Sequence, residues 1–203
     1  MNEPAILVSG LPRSGTSMIM QMLAAGGVEI LSDGQRRADD DNPRGYFELE
    51  AVKTTGTDAS WLDQAPGKGI KLISQLLYEL PAGTRADVIV LRRDMAEILA
   101  SQRKMLERAG GRIAAPDAAL AEDEQMGRIF TSHLTDVLAW VQQRQGLKLL
   151  EVWHADVLRD AAAAAAKMQV FLGRGLDVTA MAAVVDGGLH RNRGETGASG
   201  LRS

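Results

Sequence analysis

An α/β fold of three layers, with helices on both faces of a central and mainly parallel sheet, is what this sequence predicts, and three observations predict it. The apolar run Ala5 to Val8 ends at Ser9-Gly10 and is followed by a helical stretch, Ser17 to Ala25. The run Val88-Ile-Val-Leu91 lacks polar alternation, as a strand covered on both faces does. A third β run, Leu147 to Trp153, follows a helical pattern that Gly146 ends. Strand and helix patterns that alternate in this way favour right-handed βαβ units and a parallel, doubly wound sheet.

The helix from Ser17 stops at Gly26-Gly27. Val28 to Leu31 and Ile70 to Ile73 are weaker strand candidates. A helix runs from about Met95 to Arg108, and after a stretch containing Gly, Ala and Pro (Gly110 to Pro116) another covers Asp117 to Gln145. That stretch reads as a surface loop or a lid. Ile129, Leu134, Val137, Leu138 and Val141 recur near helical spacing and predict a core-facing stripe, with Trp140 packed beside it. The alanine run Ala161 to Ala166 is strongly helix-forming and continues to Leu172. The spacing predicts one domain over residues 1–193, and the Gly- and Ser-rich residues 194–203 a flexible tail.

With 203 residues, 45% of them hydrophobic and 24% charged, the composition is that of a soluble globular protein. A net charge of −3 gives no overall attraction for nucleic acid or an anionic membrane, so any anion site must be built locally from Arg or Lys. Cysteine is absent, which excludes disulfides, thiolate metal sites and cysteine nucleophiles and suits a reducing compartment. His133, His154 and His190 lie far apart, with no metal-ligand spacing, so no metal is expected. There is no transmembrane-length apolar run, and the first residues, with Glu3 and a brief apolar stretch, do not read as a signal peptide. A cytoplasmic setting is the expectation.

Gly10-Leu-Pro-Arg-Ser-Gly15-Thr16-Ser17 lies between a strand and a helix, where successive backbone N–H groups can converge on an anion at the positive end of a helix dipole. The spacing is that of a Walker A loop, but Thr16 stands where that motif requires Lys. Arg13 is the cation inside the loop, and its planar fork suits a pair of phosphate or sulfate oxygens. Further on, Arg92 and Arg93 end the buried strand, where open α/β sheets bind ligands, and Ser101 lies on the following helix.

The loop resembles the 5′-phosphosulfate loop of the sulfotransferase superfamily, which carries Pro-(Arg or Lys)-Ser-Gly-Thr-(Ser or Thr) at the same junction; Pro12, Arg13, Ser14, Gly15, Thr16 and Ser17 meet every position. Arg93, Asp94 and Ser101 resemble the family's 3′-phosphate site, with Met95 where Pro is common and Arg92 as the alternative ligand. Asn42 to Glu48, Gly67 to Lys71, Ala100 to Leu106 and Phe171-Leu172-Gly173 look like a bacterial subgroup of sulfotransferase-like proteins with undefined acceptors. His190-Arg191-Asn192-Arg193-Gly194 is similar to a segment that closes over the 3′-phosphate in many members, which would make Arg191 and Arg193 ligands. The resemblance implies a P-loop NTPase-like sulfotransferase fold, 3′-phosphoadenosine-5′-phosphosulfate (PAPS) as co-substrate, and a small-molecule or glycan acceptor.

Sulfuryl transfer needs a base near the acceptor, cations on the bridging and non-bridging oxygens, and in-line positioning. Glu48 is the candidate base, with Asp33, Asp41 and Glu50 as rivals. Lys71, on a predicted strand, either reaches the transferred group or caps the sheet edge. Two other readings stay open. A nucleotide kinase or NTPase could use the same loop, although Thr16 replaces the lysine and the best strand ends in Arg rather than a magnesium-binding Asp. A non-catalytic nucleotide-binding protein could keep the fold and the donor pocket.

Overall fold

The computed structural model describes residues 3–34, 47–108, 110 and 116–185. Asp41, the segment from Asn42 to Tyr46, residues 111–115, His190, Arg191, Arg193 and the 194–203 tail lie outside the described residues.

Among the described residues four parallel strands, β1 (Ala5–Gly10), β2 (Gly69–Lys71), β3 (Ala86–Arg92) and β4 (Leu147–Trp153), form one sheet in the order β2-β1-β3-β4. Every residue of β1 is buried, and β3 is buried up to its last residue, as their unbroken apolar runs predict. The helices are α1 (Thr16–Ala25), α2 (Met95–Arg108), α3 (Pro116–Gln143), α4 (His154–Arg159), α5 (Ala161–Leu172) and α6 (Val178–Ala183). Strand side chains alternate between the two faces. Ile6, Val8, Ile89 and Leu91 meet α1, α5 and α6, whereas Leu7, Val88 and Val90 meet α2, α3 and short 3₁₀ turns at Glu50–Thr54, Ser60–Gln64 and Ser74–Glu79. The architecture is three-layer α/β/α with a parallel sheet.

Two strand candidates come out shorter than their apolar residues suggest. Val28 to Leu31 makes only a single bridge, Ile30 with Gly69, because β2 at the sheet edge is itself three residues long and offers little to pair with. Of Ile70 to Ile73, only Ile70 and Lys71 lie in β2; Leu72 still donates its N–H to Val8 (3.1 Å) and Ile73 has left the sheet.

The predicted core stripe on α3 fails at its first member. Leu134, Val137, Leu138 and Val141 are buried, but Ile129 is 52% exposed. The reason is phase: five positions before Leu134, Ile129 lies about 140° round the helix, and Phe130, four positions before Leu134, takes the inward place and packs against the core. His133 of α3 and Arg144, the residue after the helix, also hold the turn after β2: Ser74 Oγ and His133 Nε2 lie 2.8 Å apart, and the Arg144 guanidinium donates to Leu80 O and Pro81 O. On the opposite face α5 behaves as the alanine run predicts, with Asp160 capping it through Ala163 N–H (2.9 Å) and Ala164, Ala165, Met168 and Leu172 facing inward.

At the end of the sheet away from the phosphate loop, Asp87 of β3 is buried and its Oδ1 has no hydrogen-bond partner. Burial pushes its carboxyl above the usual range, against the pull of Lys148 and Arg174. A carboxyl whose folded-state pKa is raised favours the folded state fully below its unfolded value, near 3.8, and loses that contribution as pH rises through the folded value. Asp87→Asn is therefore expected to be more stable than the wild type at pH 7, by about 1–2 kcal/mol. Melting curves should show the advantage disappearing below about pH 4; a variant that melts lower at pH 7 would mean that the two cations outweigh burial.

Candidate functional site

Neighbouring connections leave β1 and β3 on opposite faces: α1 follows β1 on one side, and α2 follows β3 on the other. A crevice opens between the carboxyl ends of such a pair, which is where open α/β sheets place ligands. The loop from Leu11 to Gly15 occupies it. Ser14 N–H bonds Leu11 O (3.1 Å), closing the turn, and Gly15 caps α1 with φ 99°. The first turn of α1 holds no acidic side chain, so its amide end keeps its positive character.

The loop is too tight for other residues at its two glycines. A Cβ at Gly10 would lie 2.6 Å from Ser14 Oγ and 2.8 Å from the backbone oxygen of Leu91; at Gly15 it would lie 2.7 Å from His154 Cδ2. Ser14 Oγ is buried without a partner, as is Ser9 Oγ near the end of β1. A buried hydroxyl without a partner costs about 1–3 kcal/mol. A hydroxyl left so at the mouth of an amide-lined loop suits an oxyanion, so the residues present fit a bound phosphate or sulfate.

Arg13 takes a left-handed backbone, φ 69°, and among the described residues the other non-glycine with positive φ is Phe47, at 52°. Such conformations cost on the order of 1–3 kcal/mol each and gather at functional sites. Arg13 Nε donates to Ser101 Oγ on α2 at 3.0 Å, and Arg93 Nη1 donates to the Arg13 carbonyl at 3.1 Å. The phosphate loop and the Arg93–Ser101 segment thus meet across the crevice. Arg93 also pairs with Glu97 (2.8 Å), the contact a purely surface role would give it. Arg92, one residue earlier, points to the other face, where it bonds Glu151 (2.7 Å) and stacks over Trp153 (5.0 Å). Of the two arginines, Arg93 is the one beside the loop.

On the β2 side, Lys71 is in register with Val8, two residues before the loop begins. Its Nζ lies 3.6 Å from Glu48 Oε1, and both side chains are largely withdrawn from solvent. Of the rival carboxylates, the two among the described residues make other contacts: Asp33 accepts the N–H of Glu50, and Glu50 pairs with Lys53. Pro12 is exposed at the loop's crest, and Thr16 and Ser17 are half-buried at the start of α1. No three His, Asp or Glu among the described residues are grouped to hold a metal, and no described helix is long and apolar enough to cross a membrane.

Sequence reasoning missed His154. It is buried at the end of β4, and its ring forms the wall against which Gly15 sits. Its place at the carboxyl end of a parallel strand was the available signal.

No family model and no curated protein matches this chain by sequence. Solved structures do match. A sulfotransferase from Alicyclobacillus acidocaldarius, 14% identical, aligns over 85% of this chain and 82% of its own with a TM-score of 0.50. This chain has the sulfotransferase fold. Mouse sulfotransferase SULT7A1, crystallised with PAP, aligns over 91% of the chain at 16% identity and a TM-score of 0.53. Retinol dehydratase, in complex with androsterone and the inactive cofactor PAP, aligns over 88% at 17% identity and 0.52. The chain spans 63% and 62% of the length of these last two proteins.

Proposed function

We propose that this chain is a sulfotransferase that moves a sulfuryl group from PAPS to a hydroxyl or amine of a small molecule or glycan. The observation that carries the reading is the Arg13–Ser101 hydrogen bond with Arg93 on the Arg13 carbonyl. It gathers one cation of the loop, a second cation and a hydroxyl around a single crevice, which suits a ligand with anionic groups at both its 5′ and 3′ positions. PAP in two fold neighbours supports the choice of donor.

PAPS supplies the activated S–O bond; the chain's residues bind, orient and neutralise. The amides of residues 13–17, with the hydroxyls of Ser14, Thr16 and Ser17, hold the 5′-phosphosulfate, and Pro12 shapes the turn. Arg13 and Lys71 neutralise charge on the transferred group and on the oxygen it leaves. Arg93 and Ser101 hold the 3′-phosphate, with Arg191 and Arg193 as further ligands to it. Glu48 takes the acceptor's proton as the acceptor oxygen or nitrogen bonds to sulfur and the sulfur–oxygen bond to the 5′-phosphate breaks, leaving PAP. The reaction needs no metal in this scheme. A cytoplasmic setting fits a chain without cysteine, and the resemblance to the bacterial subgroup fits a bacterial one.

Thermal-shift measurements test the reading. PAP is expected to raise the melting temperature, with stabilisation near 2.7 kcal/mol at about 100 times its Kd, and ATP·Mg and GTP·Mg to raise it much less. The double variant Arg93→Ala, Ser101→Ala should lose selectivity for nucleotides bearing a 3′-phosphate. Equal losses for nucleotides with and without that group would remove the second site, and a preference for ATP·Mg would favour a kinase or NTPase.

A further inference from the structure

We infer that Asp33 is a positioning residue that aims Glu48 at Lys71, and that it is not itself a second base. The inference rests on the reading above only in calling Glu48 the base; the geometry it describes is independent of the reaction.

The carboxylate of Glu48 is placed by its backbone. Phe47 packs into the apolar cluster on the α1 side of the sheet, and Leu49 packs against the cluster on the α2 side. Glu48 therefore sits between two anchors that pull its neighbours to opposite faces. The chain achieves this by the left-handed turn at Phe47, φ 52°, a conformation that a bulky side chain adopts only when its surroundings enforce it.

Asp33 supplies part of that enforcement. Its N–H donates to Glu48 O at 3.1 Å, and its Oδ2 accepts the N–H of Glu50 at 2.5 Å. One residue thus grips the backbone on both sides of Leu49 from 17 positions away in sequence. A carboxylate bonded to a backbone amide in this way holds its negative charge on that amide. Sequence alone makes Asp33 a rival of Glu48, since both are acids near the loop. The structure separates them by role: the Glu48 side chain reaches Lys71 at 3.6 Å, and the Asp33 side chain reaches the main chain.

The test reads Lys71 in the unliganded protein. Lysines are dimethylated with ¹³C-formaldehyde, which keeps their charge, and the Lys71 resonance is assigned by its loss in Lys71→Arg. Glu48→Gln should shift that resonance by removing the neighbouring carboxylate. Asp33→Ala is expected to shift it in the same direction, towards its position in Glu48→Gln, whereas Asp33→Asn, whose amide oxygen still accepts from Glu50, should leave it in place. A folded Asp33→Ala protein with an unmoved Lys71 resonance would overturn the inference. So would an Asp33→Asn protein shifted as far as Asp33→Ala, because the effect would then be one of charge. Should Asp33→Ala not fold, Asp33→Ser, which shortens the reach of the acceptor, takes its place under the same criteria. PAP binding measured on the same samples keeps the two ideas apart: a wild-type protein that ignores PAP sinks the sulfotransferase reading, while the resonance pattern still decides the role of Asp33.

Discussion

Arg13→Ala is expected to weaken PAP binding by roughly 100-fold, measured by titration calorimetry, while the protein stays folded. A hydrogen bond to a charged group contributes about 1.5–3 kcal/mol, and a factor of 100 corresponds to about 2.7 kcal/mol. Arg13 is the cation within the loop itself, so its loss leaves the amides to hold the anion with cations from other segments, Arg93 among them. Its backbone makes a second, separable prediction. At φ 69° the residue pays for a left-handed conformation that glycine adopts freely. Arg13→Gly should therefore be more stable than Arg13→Ala by about 1 kcal/mol, yet bind PAP no better. Lysine keeps the charge but loses the fork that reaches Ser101, and should fall between arginine and alanine. An alanine variant with near wild-type affinity would remove Arg13 from the donor site.

How far the sequence reaches depends on the distance over which a signal acts. The boundaries of α2, α5 and β4 coincide with those the residue pattern predicts, because apolar periodicity, capping by Asp160 and the stop at Gly146 are local. The strand-loop-helix unit at Gly10 to Ala25 is local too. The exposure of Ile129 is a matter of phase: five positions before Leu134 it lies about 140° round the helix, and its neighbour Phe130 is the residue in step with the buried stripe. Val28 to Leu31 has strand residues, and only the brevity of its partner β2 keeps it from becoming one. In the candidate site, spacing locates Arg13 and Ser101 on separate elements, but their hydrogen bond spans 88 positions and follows from the crossing of α2 over the loop. The choice between Arg92 and Arg93 turns on strand alternation at a boundary, where one residue reverses the face. The pairing of Glu48 with Lys71, and the different use of Asp33, depend on three segments meeting at the edge of the sheet, which no single stretch of sequence encodes.

The same reasoning gives Gly15→Ala the largest expected cost to stability. Two separate terms act on the new methyl group. The backbone at φ 99° lies where an L-residue is strained, worth about 1–2 kcal/mol. The methyl would also stand 2.7 Å from His154 Cδ2 and 3.3 Å from Leu91 Cδ2, and forcing extra volume into a packed site costs about 1–3 kcal/mol. His154 is buried at the first position of α4, directly after β4, so it has little room to retreat. Together these predict a loss of about 2–5 kcal/mol, or a fall in melting temperature on the order of 10 °C for a domain of this size, with loss of PAP binding because the loop amides are displaced. The two terms can be told apart with a double-mutant cycle. His154→Ala should be destabilising in the wild-type background, where it opens a gap, and much less so in the Gly15→Ala background, where it removes the clash; a coupling of about 1 kcal/mol or more is expected. Conformational strain at residue 15 would remain in the double variant, which should stay less stable than His154→Ala alone. If the two substitutions simply add, the histidine is not what keeps this position a glycine, and the fit of the loop against its surroundings must come from Leu91 alone.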